Sequence, residues 1–471
     1  MNSPPLAKRF VSAILAFAGV TAVGCAVAAG QPKVEPALHD QALGILQKSI
    51  SYRTVLGAGQ VPAYAEYLKS VLVEAGFPPN DITIEPVGET ATFVAHYRGT
   101  DSKKKPLLVL GHMDVVEAKR EDWKRDPFTP VIENGYVFGR GSVDNKFEVS
   151  IITATVAKLK REGWKPKRDL ILAFSGDEET SMVTTRKLAQ QFKHAELALN
   201  GDAGGGLLSE EGQPVVYGLQ AGEKSYADFK LTVTNPGGHS SRPGKVNAIY
   251  QLSQALNRLS AYQFPPMRNE LTLAFFKESL PKLSGPTAAA IKSYLANPDD
   301  ATAIATLSAD SNYVGQLRTT CVATEIEGGH APNALPQKAV ANVNCRIFPG
   351  VPVAEIQKTL TEVVADPAVE VTLPPSGSVA SDASPLRADV MNAVTKAVRA
   401  RYPGLSIVPS MSAGATDSMH FRALGVPSYG VSGLFMKDSD EFAHGLDERV
   451  PVSAIDGALA HWDSVLKALA R

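Results

Sequence analysis

The sequence predicts an α/β protein: a doubly wound larger domain with a smaller α+β domain inserted into it. Three observations carry this expectation. Short continuous apolar runs, Leu107–Leu110, Leu170–Phe174 and Leu197–Leu199, lie between turn signals, as buried parallel strands do. Apolar residues at helix spacing separate them, the pattern of alternating β and α units. Near residue 222 the pattern changes to half-exposed alternation, and after Pro349 the α/β pattern resumes.

Taken in order, residues 38–76 read as helical. Leu43, Ile45, Leu46 and Ile50 recur at helix spacing, then Tyr64, Leu68, Leu72 and Val73. Strand-like runs at Asp81–Pro86 and Thr92–Arg98 precede Leu107–Leu110. A helix is expected after Asp144-Asn145-Lys146 to about Arg161, with Ile151, Ile152, Val156 and Leu159 on its apolar side. Leu170–Phe174 and Leu197–Leu199 complete the first part of the large domain, residues 31–221. In the insert, residues 222–345, Ser225–Thr234 alternates as a strand, Asn235-Pro236-Gly237-Gly238 turns, and Asn247–Leu259 is helical. Leu271–Phe276 reads as a strand, Ala288–Leu295 and Ala301–Leu307 as helices. Val322–Ile326 and Ala339–Ile347 read as strands joined by the loop Gly328–Gln337. Residues 346–471 return to the large domain, with helices near Ala354–Val364 and Asp389–Arg399 and a strand near Pro427–Val431.

A chain of 471 residues suits two or three cores rather than one. Its 44% hydrophobic and 20% charged content is that of a soluble globular protein. A formal net charge of −1 implies neither nucleic acid nor an anionic surface as a partner. Lys8 and Arg9 precede a charge-free stretch, Phe10 to Ala29, that ends in small residues, the pattern of an export signal over residues 1–30. Ala26-Val27-Ala28 fits the cleavage rule. A second reading attaches lipid at Cys25, although Ala22 matches that motif poorly, and a third keeps the stretch as a membrane anchor. Export implies a periplasmic or secreted protein. There Cys321 and Cys345 form either one disulfide or two separate buried thiols.

The chemistry begins at His112-Met113-Asp114, where a buried strand ends. Open α/β sheets place their ligand crevice at the carboxyl ends of the strands. An imidazole there can hold a metal while the carboxylate two residues on accepts the other ring N–H. Four further segments accompany it: Gly139–Lys146 with Asp144, Gly176-Asp177-Glu178-Glu179-Thr180, Asn200-Gly201-Asp202 and Ala443-His444-Gly445. Two His, two Asp and one Glu make an oxygen-and-nitrogen donor set with no thiolate, which suits zinc, manganese or cobalt.

These five segments, in this order, resemble the zinc-dependent exopeptidase and deacylase family of glutamate carboxypeptidase, carboxypeptidase S and aminoacylase-1. Gly111–Lys146, with Trp123, Pro127, Phe128 and Gly139-Arg140-Gly141, is most similar to the carboxypeptidase S branch. The resemblance covers residues 40 to 465. It implies two zinc ions (or cobalt or manganese), one on His112 and Asp202, the other on Glu179 and His444, bridged by Asp144. It implies Asp114 as the partner of His112 and Glu178 as general base. In the insert, a lid or dimerisation domain in this family, it implies substrate contacts from His239 and Asn333, and beyond the insert from Arg346 and Gly414. Arginine suits a terminal carboxylate through its planar fork. His330 and His420 carry no ligand role, and His39, His96, His194 and His461 read as structural or exposed. Two positions depart from the family pattern: Phe147 where many members have glycine, and Gly414-Ala415 where many have two glycines.

The implied activity is cleavage of an amide next to a free carboxylate in a small peptide or an N-acyl amino acid, and the resemblance admits a homodimer through the lid domain. A biosynthetic deacylase of the ornithine or diaminopimelate type is disfavoured by the export signal. A catalytically inactive peptide-binding protein is disfavoured by the intact Glu178 and ligand set.

Overall fold

The computed structural model describes residues 34–374 and 379–471. The export segment expected over residues 1–30, with Cys25, lies outside the described residues. Among those described, no helix is long and apolar enough to cross a membrane. The chain divides into two compact units.

The larger unit, through Gly222 and again over Ser384–Ser412 and Thr416–Arg471, is built on a mixed ten-stranded sheet. Its centre is parallel, in the order Leu170–Ser175, Leu107–His112, Leu197–Asn200, Ser428–Gly430. All four strands are buried along their whole length, which is why they read as apolar runs. Antiparallel strands extend both sides, among them Thr90–Tyr97 and Pro214–Glu223. On one face Leu108, Leu110, Ile171, Ala173 and Ala198 pack with Leu188 and Phe421, from the helices Val183–Gln191 and Ser418–Ala423, and with Phe192 just past the first of them. The helix Lys146–Arg161 is buried nearly all round as far as Leu159 and surfaces only at its basic end, so it looks less amphipathic than a covering helix does. The helices Pro36–Ile50 and Ala454–Leu469 pack against it. The fold class is the expected α/β one, with a sheet more mixed than the apolar runs suggested. Short or glycine-rich strands such as Gly205–Leu208 and Phe435–Lys437 carry too little pattern to be read.

The smaller unit, Glu223–Ala383 with Ala413–Ala415, holds a four-stranded antiparallel sheet. The order is Thr320–Gly328, Lys338–Ile347, Ser225–Thr234, Val369–Thr372. Phe229, Leu231, Val233, Ala341, Val343 and Ile347 form its apolar face, covered by Leu252 and Ala255 of Ala248–Ala261 and by Ile356 and Leu360 of Val353–Val364. This packing corrects the expected boundary at residue 345. The helix near 354–364 and a fourth strand beyond it complete this sheet's core instead of returning to the larger one. The segment Leu271–Phe276 also departs from expectation. It lies in a helix, Glu270–Ser279, whose first turn is capped by Asn269 Oδ1 accepting from Thr272 N at 2.9 Å. Six apolar-rich residues fit either period, and the cap decides. Cys321 and Cys345 are directly opposed in the ladder and joined as a disulfide, Cα–Cα 4.1 Å.

Candidate metal centre

The parallel strands deliver their carboxyl ends to one place, and the residues expected to carry chemistry sit there. His112 ends the strand Leu107–His112. Glu178 and Glu179 follow the strand Leu170–Ser175 in a turn held by Asp177, whose carboxylate accepts from Ser181 Oγ and Val183 N (2.7 Å each) and from Thr184 N (2.9 Å). Asp202 follows Leu197–Asn200, where Asn200 Oδ1 accepts the Asp202 N–H at 2.9 Å and Asn200 Nδ2 donates to Ser418 Oγ at 2.9 Å. Asp144 directly precedes Asn145 and the buried helix, across a cis peptide. Asn145 leaves the helix start without a side-chain cap, because its Oδ1 accepts from His112 N at 3.3 Å. Gly111 permits this approach: a Cβ there would lie 2.9 Å from Asn145 Oδ1 and 3.1 Å from Val149 Cγ2. His444 sits in the left-handed region, φ 62°, beside a turn closed by Gly445 N donating to Phe442 O at 2.7 Å.

The side chains form two overlapping triads. His112, Asp144 and Asp202 offer ligand atoms within 4.8 Å of one another, and so do Asp144, Glu179 and His444. Asp144 belongs to both: its Oδ1 is 2.9 Å from His112 Nε2 and its Oδ2 is 3.0 Å from His444 Nε2. His112 Nε2 is also 3.4 Å from Asp202 Oδ1, and His444 Nε2 is 2.5 Å from Glu179 Oε1. Glu178 is buried, with an oxygen within 4.8 Å of His112 and Glu179 ligand atoms.

Asp114 lies beside His112 as expected and has a second set of partners as well. His112 Nδ1 donates to the Asp114 backbone carbonyl at 3.0 Å, while the Asp114 carboxylate is 3.4 Å away. That carboxylate also accepts the backbone N–H groups of Glu178 (3.1 Å) and Glu179 (3.0 Å). Asp114 therefore fixes the turn bearing both glutamates, and its backbone carbonyl and carboxylate both face His112 Nδ1. The sequence showed the carboxylate but not its partners, which lie 64 and 65 residues on.

The electrostatics are those of a cluster with too much buried negative charge. Burial pushes the Glu178 carboxyl well above its ordinary value and that of Asp202 up to about 7, each reinforced by neighbouring carboxylates. Burial opposes protonation of His112, but Asp202, Asp114 and Asp144 outweigh it and hold the imidazole well above its usual range. Asp144 and Glu179 likewise outweigh burial and raise His444 to about 10. Protons on two imidazoles are a partial substitute for the cations that hard oxygen and nitrogen donors in this arrangement fit. The donor set thus fits a pair of divalent ions. Asp417, which carried no expected role, adds a buried carboxylate bonded to Ser175 Oγ (2.8 Å) and raised by burial to about 6.

A family model described as Peptidase family M20/M25/M40 matches residues 108–468. The chain belongs to the M20 peptidase family. Among its relatives, an N-fatty-acyl-amino acid synthase/hydrolase PM20D1 of Xenopus tropicalis is 28% identical over 406 residues, covering 83% of this chain and 78% of the relative. A probable carboxypeptidase S-like 2 protein of Dictyostelium discoideum is 28% identical over 375 residues, covering 77% and 71%. The crystal structure of an M20 family metallo-carboxypeptidase, Sso-CP2 from Sulfolobus solfataricus, superposes with a TM-score of 0.68 at 20% identity, over 91% of this chain and 99% of that one. M20 peptidases are metal-dependent hydrolases, and the family resemblance drawn from the five segments holds.

The four remaining expected residues lie in the smaller unit, which brings them together as two pairs. His239 pairs with Ala334 in a short ladder, and Ser240 N donates to Asn333 O at 3.0 Å, so His239 and Asn333 are neighbours. His239 Nδ1 is 2.8 Å from Ser241 Oγ. Arg346 Nη1 donates to Ala413 O at 2.7 Å, next to Gly414, and its guanidinium lies 4.7 Å from the centre of the Tyr226 ring.

Proposed function

We propose that this chain is an exported dinuclear zinc hydrolase that cleaves an amide bond next to a free carboxylate, in a small peptide or an N-acyl amino acid. The observation that carries this reading is the sharing of Asp144 between the two triads, one oxygen toward each histidine. His112 and Asp202 would hold one divalent ion and Glu179 and His444 the other, with Asp144 shared between the two sets; zinc, cobalt or manganese suits these donors. When bound, the ions polarise the scissile carbonyl and lower the pKa of a water toward neutrality. Glu178 takes the proton from that water and passes it to the leaving amine. Burial raises its affinity for the proton it must carry between the two steps. Adjacent Glu178 and Glu179 do different work because Glu179 is committed to the histidine-and-aspartate triad. Arg346 binds the substrate carboxylate with help from Gly414, and His239 and Asn333 contact the substrate near the scissile group. The hydrolase and carboxypeptidase names of the relatives agree with this substrate class.

Lys8, Arg9 and the apolar stretch after them support export. The edge strand Thr320–Gly328 supports a homodimer through the smaller unit, since an open edge with exposed Val322 and Ile326 invites pairing.

The test is hydrolysis of matched dipeptides and N-acyl amino acids, each with a free or an amidated carboxyl end, by residues 31–471 with zinc and after chelation. Zinc-dependent cleavage of the free-carboxylate members alone is expected, and Glu178→Ala should abolish it while two ions still bind. Turnover by Glu178→Ala would remove Glu178 as the base, and equal cleavage of amidated members would remove the carboxylate requirement.

A further inference from the structure

We infer that Glu448 presets the second metal position, as a positioning residue that locks the segment carrying Asp144 to the segment carrying His444. The inference rests on the dinuclear reading above. Glu448 is fully buried. Its Oε2 accepts from Arg140 Nη1 at 2.6 Å and from Gly141 N at 3.1 Å. Its Oε1 accepts from Val143 N at 2.8 Å and from Asp144 N at 3.1 Å. Its own backbone carbonyl accepts from Gly139 N at 3.0 Å. One residue therefore gathers donors from almost every position between 139 and 144, ending on the N–H of the shared ligand itself. It lies four residues beyond His444, whose imidazole meets the other side of Asp144 at 3.0 Å.

A purely structural ion pair would need only Arg140. Buried ion pairs are weak sources of stability, and well-packed apolar residues often replace them without loss. Here three of the four bonds to the carboxylate come from backbone N–H groups, so it sets the path of the main chain into Asp144. A shift of that path moves the Oδ2 that faces His444. The position holding His112 and Asp202 shares Asp144, but His112 and Asp202 have supports of their own in Asn145 and Asn200, whereas His444 lies on the segment that carries Glu448 itself, so the second position depends on Glu448 more.

The experiment is cobalt titration of the chelator-stripped chain, followed by calorimetry and visible absorption, for wild type, Glu448→Gln and the milder Glu448→Asp. Every group facing the carboxylate is a donor, so glutamine must set its amide N–H groups against some of them. Wild type should bind two ions. Glu448→Gln should bind one ion normally and the second at least ~10-fold more weakly, the usual scale for lost support of a ligand, with Glu448→Asp between. If Glu448→Gln does not fold, Glu448→Asp decides. An unchanged second ion, with only the melting temperature of the stripped protein lowered, would overturn the proposal and leave a structural ion pair. Equal weakening of both ions would overturn it too. Fewer than two ions in wild type would remove the dinuclear reading, and the brace with it.

Discussion

Asp114→Ala tests how the site is held without touching a ligand. The Asp114 carboxylate is 4% exposed and accepts the N–H groups of Glu178 and Glu179 at 3.1 and 3.0 Å. A hydrogen bond to a charged group contributes about 1.5–3 kcal/mol. Losing two at the lower figure costs ~3 kcal/mol of positioning, or ~100-fold in kcat/KM at about 1.4 kcal/mol per decade. Asp114→Asn keeps one acceptor oxygen and so one of the two bonds, which sets its loss at ~10-fold. The assay is steady-state hydrolysis of a free-carboxylate substrate at saturating zinc, with circular dichroism to verify the fold. Wild-type kcat/KM in Asp114→Ala would refute the positioning argument. An Asn variant as poor as the Ala variant would show that the negative charge matters and the pair of acceptors does not.

Two further predictions address the substrate clamp and the core. The Tyr226 ring supports the Arg346 guanidinium, and Tyr226 O–H donates to Asp228, whose Oδ1 accepts from Asn342 and Asn344 at 2.9 Å each. Removing a cation–π contact of about 1 kcal/mol by Tyr226→Leu should raise KM ~5-fold for free-carboxylate substrates with kcat nearly unchanged; an equal rise for amidated substrates would refute it. Glu148 is buried against Ser432 Oγ (2.6 Å), Gly433 N (2.9 Å) and Trp462 Nε1 (2.5 Å), and burial pushes it from 4.5 up to about 7 despite these donors. A carboxyl raised in the folded state gives stability that is complete below about pH 4.5 and lost as pH rises through about 7. Urea unfolding of the metal-free protein at pH 5 and pH 8 should show that Glu148→Gln flattens the pH dependence by up to ~3 kcal/mol, and parallel pH slopes would count against it.

The large domain was legible because its centre is a run of parallel strands buried on both faces, which forces continuous apolar sequence. The same constraint made the site legible: ligands at the carboxyl ends of such strands stand at the end of an apolar run, as His112 and Asp202 do. What escaped reading depends on partners far away in sequence or on a single capping bond. Leu271–Phe276 fits a strand or a helix until the cap from Asn269 is counted. The helix Val353–Val364 looks in sequence like the return of the α/β pattern, and only its packing on Leu231 and Val343 assigns it to the smaller sheet. Asp114, Asp417 and Glu448 are single acidic residues whose function lies in what they hold, and a linear sequence records no such grip.

Gly111 shows how far the demands of such a centre spread. It offers no donor atom, yet it lies where the strand ending in His112 meets the start of the helix that follows Asp144, with room for hydrogen and nothing larger. Alanine scanning deletes atoms at nearly every position of a protein, but at a glycine it adds one. Here the added methyl would act as a wedge between the supports of two ligands. The spacing on which the chemistry turns is set in part by an atom that is not there, and a survey of the site confined to reactive side chains would pass over it.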